Sequence, residues 1–253
     1  MPTRKIAILS GKGGVGKTTL TSNLSYVLAN MLEQKTLAVD ANFSTPDLSL
    51  HSGIYFTKFN IVDVLKNSIK VEKAIVPTHL NFDLLPGSLT LSSLTSFDRI
   101  KNVLSELTGS YDFILLDCPA GLGREVKNVI NSVNEAIVVT NPDLPSIVNA
   151  LKSLKLCRDF GVEIDCVVVN RIKSSKYELA RRKVSEMLDF EKIFFVPEDK
   201  NVPKSITNKL PVVKINPFSP ASREFIKIGY DLAGLEYRIK SSVFDKILSY
   251  FKF

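Results

Sequence analysis

Short apolar runs alternate with longer amphipathic segments along most of this chain. The runs cover residues 6–9, 36–39, 82–85, 113–116, 136–139, 166–169 and 193–196. Apolar residues recur at helical spacing in residues 20–31, 61–65 and 100–107, after Pro145, and from about Tyr177. Strands that alternate with helices pack into a parallel sheet. The pattern therefore predicts an α/β fold, a doubly wound, mostly parallel sheet with helices on both faces.

A glycine-rich stretch separates the first predicted strand from the first predicted helix. Its residues match the complete GxxxxGK[ST] spacing: Gly11, Lys12, Gly13, Gly14, Val15, Gly16, Lys17, Thr18 and Thr19. The glycines let successive N–H groups and the helix N-terminus face one anion. Lys17 can then reach the β- and γ-phosphates, and the Thr18 hydroxyl can ligate Mg²⁺. The stretch predicts a P-loop that binds a nucleotide.

Two carboxylates follow predicted strands. Asp40 ends the run 36–39 and Asp117 ends the run 113–116, so both should lie at the edge of the sheet where ligands bind. Asp117 can hold Mg²⁺ through water, as a Walker B residue does. Gly121 can let its loop approach a γ-phosphate, which makes residues 117–123 a candidate nucleotide-sensing switch. The alternative is that these carboxylates only cap turns.

The second lysine of the loop, Lys12, and the sequence D-C-P-A-G-L from Asp117 resemble the MinD/ParA family of deviant Walker A ATPases, and archaeal MinD-type proteins in particular. The resemblance covers residues 4 to about 235. It implies ATP with Mg²⁺ and an ATP-bound homodimer in which Lys12 reaches the phosphates of the partner subunit. On chemistry alone, Lys12 could equally be solvated or held by a neighbouring carboxylate.

The resemblance also implies roles for individual residues. Asp40 would support the Mg²⁺ shell, and Asn42 replaces the acid with which the family usually positions the attacking water. An amide can orient water but cannot accept a proton, and Asn42 could instead be a turn residue. Asn170 would read the adenine edge, with Arg171, Pro197, Glu198 and Asp199 beside the base. The alternative for these strand-end residues is again a set of turns.

The last segment has a pattern of its own. Residues 1–235 are predicted to form the ATPase domain and residues 236–253 an amphipathic helix, whose apolar side carries Val243, Phe244, Ile247, Leu248 and Phe251. Bacterial MinD ends in a basic amphipathic helix that binds membrane. The resemblance therefore implies a cytoplasmic protein that associates peripherally with anionic lipid at the inner membrane surface. Alternatively, the tail docks on the protein's own core.

Composition narrows the choice of partner only in part. A net charge of +7 favours anionic partners, nucleic acid among them. The three cysteines lack a C-x-x-C pair, which disfavours an iron–sulfur carrier and predicts buried packing residues. His51 and His79 lack ligand spacing, so surface or packing roles are expected. No apolar run approaches the ~20 residues of a membrane span, and no signal-peptide pattern is visible at the N-terminus.

Together these features predict a MinD-like switch that slowly hydrolyses ATP and recruits an unidentified protein for spatial positioning in cell division or polarity. Two alternatives stay open. One is a ParA-like partition ATPase that binds nucleic acid, which the positive charge permits. The other is an ATP-binding recruitment module with little hydrolysis, which Asn42 permits.

Overall fold

A computed structural model of the chain describes residues 2–43, 45–88 and 98–237. Within them, the strands are β1 (Arg4–Ser10), β2 (Thr36–Asp40), β3 (Val76–Pro77), β4 (Asp83–Leu85), β5 (Phe113–Ala120), β6 (Glu135–Thr140), β7 (Glu163–Ile172) and β8 (Ile193–Pro197). The helices are α1 (Lys17–Tyr26), α2 (Leu48–His51), α3 (Ile61–Leu65), α4 (Ile100–Glu106), α5 (Arg124–Ile130), α6 (Leu144–Asp159), α7 (Arg181–Leu188), α8 (Asn201–Thr207), α9 (Val212–Ile215) and α10 (Pro220–Leu232).

The sheet order is β3-β4-β2-β5-β1-β6-β7-β8. Every neighbouring pair is parallel except β3 and β4, which are antiparallel. This arrangement confirms the predicted mostly parallel α/β sheet. Because β5 lies between β1 and β2, Asp117 lies on the strand next to the P-loop strand, and Asp40 lies one strand further along the sheet.

Alternation along the central strands builds a separate core on each face of the sheet. In β1, Ala7 and Leu9 pack with α3 to α7, whereas Ile6 and Ile8 pack with α1, α9 and α10. The strands are thus buried on both faces, which explains why their sequences read as continuous apolar runs. Cys118, Cys157 and Cys166 are buried free thiols, as predicted.

One predicted helix boundary is wrong. α7 begins at Arg181, four residues after the expected start at Tyr177. The Glu178 carboxylate accepts hydrogen bonds from the backbone N–H groups of Lys173 and Ser175. Because these bonds close a loop over residues 173–178, the helical pattern cannot extend back to Tyr177.

The predicted tail helix lies beyond the part of the chain that the structure describes, and with it the five anchors Val243, Phe244, Ile247, Leu248 and Phe251. The boundary at residue 235 and the role of the tail stay predictions. Among the helices of the described ranges, none has the length and apolar character needed to cross a membrane.

Candidate nucleotide site

The glycine-rich stretch forms a loop that joins β1 to α1. Gly14 and Gly16 have left-handed backbone angles, with φ of +74° and +105°, a conformation that glycine adopts without strain. The Asn170 amide also leaves no room for a Cβ at Gly16. Leu20 N–H donates to Gly16 O (2.9 Å), which starts the helix directly behind the loop. Local sequence and tertiary packing therefore require the same residue at this position.

Lys17 is held inside the loop. It is only 8% exposed, and its Nζ donates to Ser10 Oγ at 3.1 Å. Burial lowers the pKa of its ammonium group, while the neighbouring Asp117 opposes that shift. A buried ammonium with a single neutral hydrogen-bond acceptor favours an anionic ligand, as the P-loop interpretation requires.

The two predicted carboxylates are buried neighbours, since Asp40 pairs with Asp117 in the register of β2 and β5. Thr18 Oγ1 donates to Asp117 Oδ2 at 2.6 Å. Among the residues that the structure describes, Asp117 Oδ1 has no hydrogen-bond partner. Asp40 accepts from the backbone N–H groups of Asn42 (3.2 Å) and Leu48 (3.0 Å). Burial, and secondarily the charge of Asp117, raise the pKa of Asp40 well above its ordinary value.

These observations fit a divalent cation. A buried carboxylate oxygen without a partner is costly and favours a bound cation, and Thr18 and Asp117 supply the hard oxygen ligands that Mg²⁺ prefers. Within the described ranges, no group of three or more His, Cys, Asp and Glu side chains could hold a metal. Magnesium suits such a sparse set, because it keeps several waters and takes further ligands from substrate phosphates.

Lys12 lies on the rim of the loop, and its side chain is 45% exposed. Its Nζ is 3.1 Å from Ser146 Oγ and 3.5 Å from Asp143 Oδ1. Asp143 also accepts a hydrogen bond from Ser146 N–H and so caps α6. Here Lys12 is held by a neighbouring carboxylate, one of the two arrangements open from chemistry alone. Exposed ion pairs of this kind contribute only about 0–1 kcal/mol, so Lys12 can leave Asp143 at little cost.

Asn42 occupies a turn in this structure. Its Nδ2 donates to Thr45 O and to Thr45 Oγ1 (3.0 Å), and its Oδ1 accepts from Thr45 N–H (3.3 Å). These bonds match the alternative interpretation of Asn42 as a turn residue. Its water-positioning role stays a prediction, and that role would require the amide to leave Thr45.

Gly121 follows the end of β5 at the same edge of the sheet. Its N–H donates to Ser10 O at 3.0 Å, and its φ of +91° lies in the left-handed region. The start of the candidate switch is therefore joined to the strand that leads into the P-loop. Contact of its loop with a γ-phosphate stays a prediction.

A cavity of about 290 Å³ adjoins the P-loop where the adenine base is expected. Seven of its lining residues come from the predicted site and four do not: the predicted ones are Gly16, Thr19, Asn170, Arg171, Pro197, Glu198 and Asp199, and the others, all apolar, are Val202, Pro203, Ile206 and Phe225. The structure thus brings the predicted base-binding residues together. The apolar side chains, supplied by α8 and α10, were not predicted from the sequence.

Two of these polar residues also support the backbone. Asn170 Nδ2 donates to Val15 O (2.8 Å), and its Oδ1 accepts from Arg171 N–H (2.9 Å). Asp199 accepts from the backbone N–H groups of Asn201 and Ala221. Contact of either residue with adenine stays a prediction, because the structure shows them fastening the walls of the cavity.

A second cavity of about 200 Å³ lies over the phosphate end of the loop. Its lining consists of Gly14, Gly16, Lys17, Thr18, Thr19, His51, Arg171 and Ile206. The sequence predicted only a packing or surface role for His51 and did not predict its place in this cavity. An isolated histidine has no spacing signal in the sequence, and only the fold of residues 40–51 brings it to the P-loop.

Several known proteins are similar to this chain. A family model described as an AAA domain matches residues 3–156. An uncharacterized ATP-binding protein of Methanocaldococcus jannaschii is 30% identical over 257 residues, which cover 98% of this chain and 97% of the relative. The septum site-determining protein MinD of Thermotoga maritima is 29% identical over 239 residues, or 90% of this chain and 88% of that protein.

Solved structures agree over nearly the whole described chain. MinD of Pyrococcus horikoshii in complex with Mg-ADP has a TM-score of 0.87 at 34% identity and covers 94% of this chain and 100% of its own. The MinC:MinD cell division complex of Aquifex aeolicus gives 0.84 at 30% identity, with coverage of 94% and 99%. On its P-loop, its sheet and these relatives, this chain belongs to the MinD/ParA family of P-loop ATPases.

Proposed function

We propose that this protein is a MinD-like, ATP-dependent dimerising switch. The observation that carries the proposal is the contrast between its two loop lysines. Lys17 is buried inside the loop, as a lysine that serves its own nucleotide should be, whereas Lys12 lies on the exposed rim. A rim lysine can reach the phosphates of a second subunit that packs against this edge.

Helix α6 provides an apolar surface beside that lysine. Leu144, Val148 and Leu151 recur at i, i+4 and i+7, and their side chains are exposed. The helix also packs tightly on the loop, since a Cβ at Gly11 would lie 2.8 Å from Asn149 Cβ. A second copy of the chain that covers these three residues would therefore also contact the P-loop. Apolar burial and phosphate contact would then stabilise the same dimer.

The chemistry proposed for the site is slow ATP hydrolysis with Mg²⁺. The Lys17 ammonium and the backbone N–H groups of the loop would stabilise phosphate charge, with Lys12 acting across the dimer. Thr18 and Asp117 would hold Mg²⁺, and Asp40, bonded to two backbone N–H groups, would support its shell. Asn42 would at best orient water, which is why slow turnover is expected.

We expect Asn42→Asp to hydrolyse ATP at least about tenfold faster than the wild type. Groups that orient or deprotonate the attacking nucleophile contribute ~10²–10⁴-fold, and part of that gain is lost because aspartate cannot donate to Thr45. A single-turnover assay with Mg²⁺ and ATP measures the change. Thr45→Ala is the control, since it removes only the bond from the Asn42 amide to Thr45 Oγ1, keeps the two bonds to the backbone of residue 45 and adds no base. An unchanged or lower rate in Asn42→Asp would remove residue 42 from the water position.

Membrane association is proposed to reside in the tail. Full burial of one aliphatic or aromatic side chain gives about 1.5–3 kcal/mol, so five anchors supply on the order of 10 kcal/mol at most. Ordering a tail costs ~1–2 kcal/mol per residue, so one tail should bind only marginally. Two tails in one dimer raise avidity by roughly 10²–10⁴-fold. The nucleotide state would thus determine location, and a recruited protein would follow it.

Sedimentation with liposomes that contain anionic lipid tests this proposal. The protein should pellet with a slowly hydrolysed ATP analogue and much less with ADP. Phe244→Glu, or deletion from residue 241 onward, should leave it in the supernatant while light scattering still shows a dimer. Phe160→Glu, at an exposed phenylalanine of the ATPase domain, is the control and should pellet normally. Equal pelleting with both nucleotides, or full pelleting after the deletion, would contradict the switch.

A second candidate function is nucleic-acid binding of the ParA type. Six exposed cations lie between the last residues of β7 and the start of α7: Arg171, Lys173, Lys176, Arg181, Arg182 and Lys183. Salt bridges to Glu198 and Glu186 occupy half of them. ATP-dependent binding to duplex DNA that weakens steeply with salt, together with no lipid binding, would favour this alternative.

A further inference from the structure

His51 lines the cavity over the phosphate end of the P-loop. The other residues of that cavity include Gly16, Lys17, Thr18 and Thr19, whose backbone N–H groups lie at the start of α1, where phosphates bind. The neighbouring cavity for the base shares Gly16, Thr19, Arg171 and Ile206 with it but lacks His51. The imidazole is therefore placed at the phosphates rather than at the base.

The position of His51 is fixed by the carboxylate that supports the metal site. Asp40 Oδ2 accepts the N–H of Leu48, the first residue of α2, at 3.0 Å. His51 ends this short helix and donates its own N–H to Asp47 O at 3.1 Å. One turn of helix thus joins the carboxyl end of β2 to the imidazole. Helix α2 therefore attaches His51 to the same edge of the sheet at which the P-loop begins.

The imidazole is available for a ligand. Within the described residues, its side chain makes no hydrogen bond, and the Asp47 carboxylate acts on it through charge alone. A neutral imidazole still carries one N–H donor, and a protonated one carries two. Arg171, on the same cavity, adds a guanidinium, so the cavity combines backbone N–H groups with two side-chain donors. This set of donors suits an anion with several oxygens.

We propose that His51 donates a hydrogen bond to a phosphate oxygen of the bound nucleotide and so contributes directly to nucleotide affinity. The inference rests on the proposed function, in which the P-loop holds ATP or ADP. It adds a ligand contact from the segment after Asp40, which the P-loop motif does not include. Because α2 carries His51 and its first N–H donates to Asp40, movement of that helix would change nucleotide affinity.

Isothermal titration of ADP with Mg²⁺ into the purified full-length chain tests the contact. Hydrogen bonds to charged groups are strong, so His51→Ala and His51→Phe should bind ADP about 10- to 100-fold more weakly. At 1.4 kcal/mol per tenfold, this loss equals about 1.4–2.8 kcal/mol. His51→Phe keeps a ring of similar shape without a donor. His51→Gln keeps an N–H donor and should stay within about threefold of the wild type.

His79→Ala is the matched control. His79 is the only other histidine of the chain, lies beside Gly53, and is absent from both cavities. It should bind ADP as the wild type does. Wild-type affinity in His51→Phe would overturn the His51 contact and leave the proposed function intact. Failure of the wild type to bind ADP would overturn both. Should His51→Ala fail to fold, the comparison of His51→Phe with His51→Gln decides the matter.

Discussion

Asp117→Asn is expected to stabilise the nucleotide-free protein at pH 8 by on the order of 3 kcal/mol. Burial, opposed by the Thr18 hydroxyl and by Lys17, raises the pKa of Asp117 from 3.8 to about 6. One unit of pKa corresponds to 1.36 kcal/mol between the two protonation states. The wild type carries this cost because Asp117 Oδ1 lacks a hydrogen-bond partner within the described ranges. Asparagine removes the charge at nearly constant volume.

The sign of the pH dependence follows from the raised pKa. The folded state binds the Asp117 proton more tightly than the unfolded state, so the wild type loses stability as the pH rises from about 4 to about 6. The advantage of Asp117→Asn should therefore be complete above pH 6 and vanish toward pH 4. Urea unfolding in EDTA at several pH values measures it.

Asp189→Asn serves as the control for this comparison. Asp189 is exposed and has a left-handed backbone with φ of 44°, which asparagine tolerates. Its replacement should change the free energy of unfolding by no more than about 0.5 kcal/mol. Equal stability of the wild type and Asp117→Asn at pH 8 would contradict the view that Asp117 is an uncompensated buried charge without its cation.

Asp117→Asn, which should stabilise the nucleotide-free protein, should reduce the stabilisation that a ligand gives. A saturating ligand at 100 times its dissociation constant stabilises the folded state by about 2.7 kcal/mol, so Mg²⁺ with ADP should raise the melting temperature of the wild type. Loss of a group that orients or binds a metal typically costs 10- to 100-fold in affinity. Asp117→Asn should therefore gain little from Mg²⁺ and ADP, a contrast that separates a metal site from a merely strained core.

Lys12→Ala is expected to abolish the ATP-dependent dimer while it spares nucleotide binding. Within the described residues, Lys12 Nζ bonds only to Ser146 and Asp143 of its own subunit. Removal of the Lys12 side chain should therefore leave the nucleotide cavities intact. Lys17→Ala should damage both properties, because Lys17 lies inside the loop. Light scattering with a slowly hydrolysed ATP analogue, paired with ADP titration, distinguishes the two lysines.

Asp143→Asn provides a matched control on the other side of the ion pair. Asparagine can still cap α6 by accepting from Ser146 N–H, but it no longer attracts Lys12 as a carboxylate does. Since Lys12 is then easier to release, this variant should dimerise at least as well as the wild type. Normal dimerisation of Lys12→Ala would show that the extra lysine has no role between subunits.

Two pairs of site residues show what sequence pattern and spacing can predict and what they cannot. Gly16 and Lys17 are recognisable because a phosphate loop needs a left-handed glycine and a lysine at fixed spacing, and both lie within one short stretch. Asp40 ends β2 as predicted, whereas β5 continues past Asp117 to Ala120, so the predicted end of that strand is three residues too early. The pairing of Asp40 with Asp117 across β2 and β5, which buries two carboxylates side by side, depends on a sheet order in which β5 lies beside both β1 and β2.

Other features depend on contacts between distant residues. The turn bonds between Asn42 and Thr45, and the choice of Asp143 as the partner of Lys12 over 131 residues of sequence, follow from side-chain placement after folding. The late start of α7 has the same kind of cause. The Glu178 carboxylate, three residues before the helix, accepts from the backbone N–H groups of Lys173 and Ser175 and so holds the residues before the helix in a loop.

The sequence by itself determined the α/β class, the P-loop and the places along the chain of the described strands other than β3, because apolar periodicity and a fixed motif are local properties of the polypeptide. Only the tertiary structure decided that His51 lies over the P-loop, that Asp117 Oδ1 is buried without a partner in the described part of the chain and that Lys12 is held on the rim. Each of these depends on which segments pack together at one edge of the sheet. That packing is set by the whole core and by no single stretch of residues.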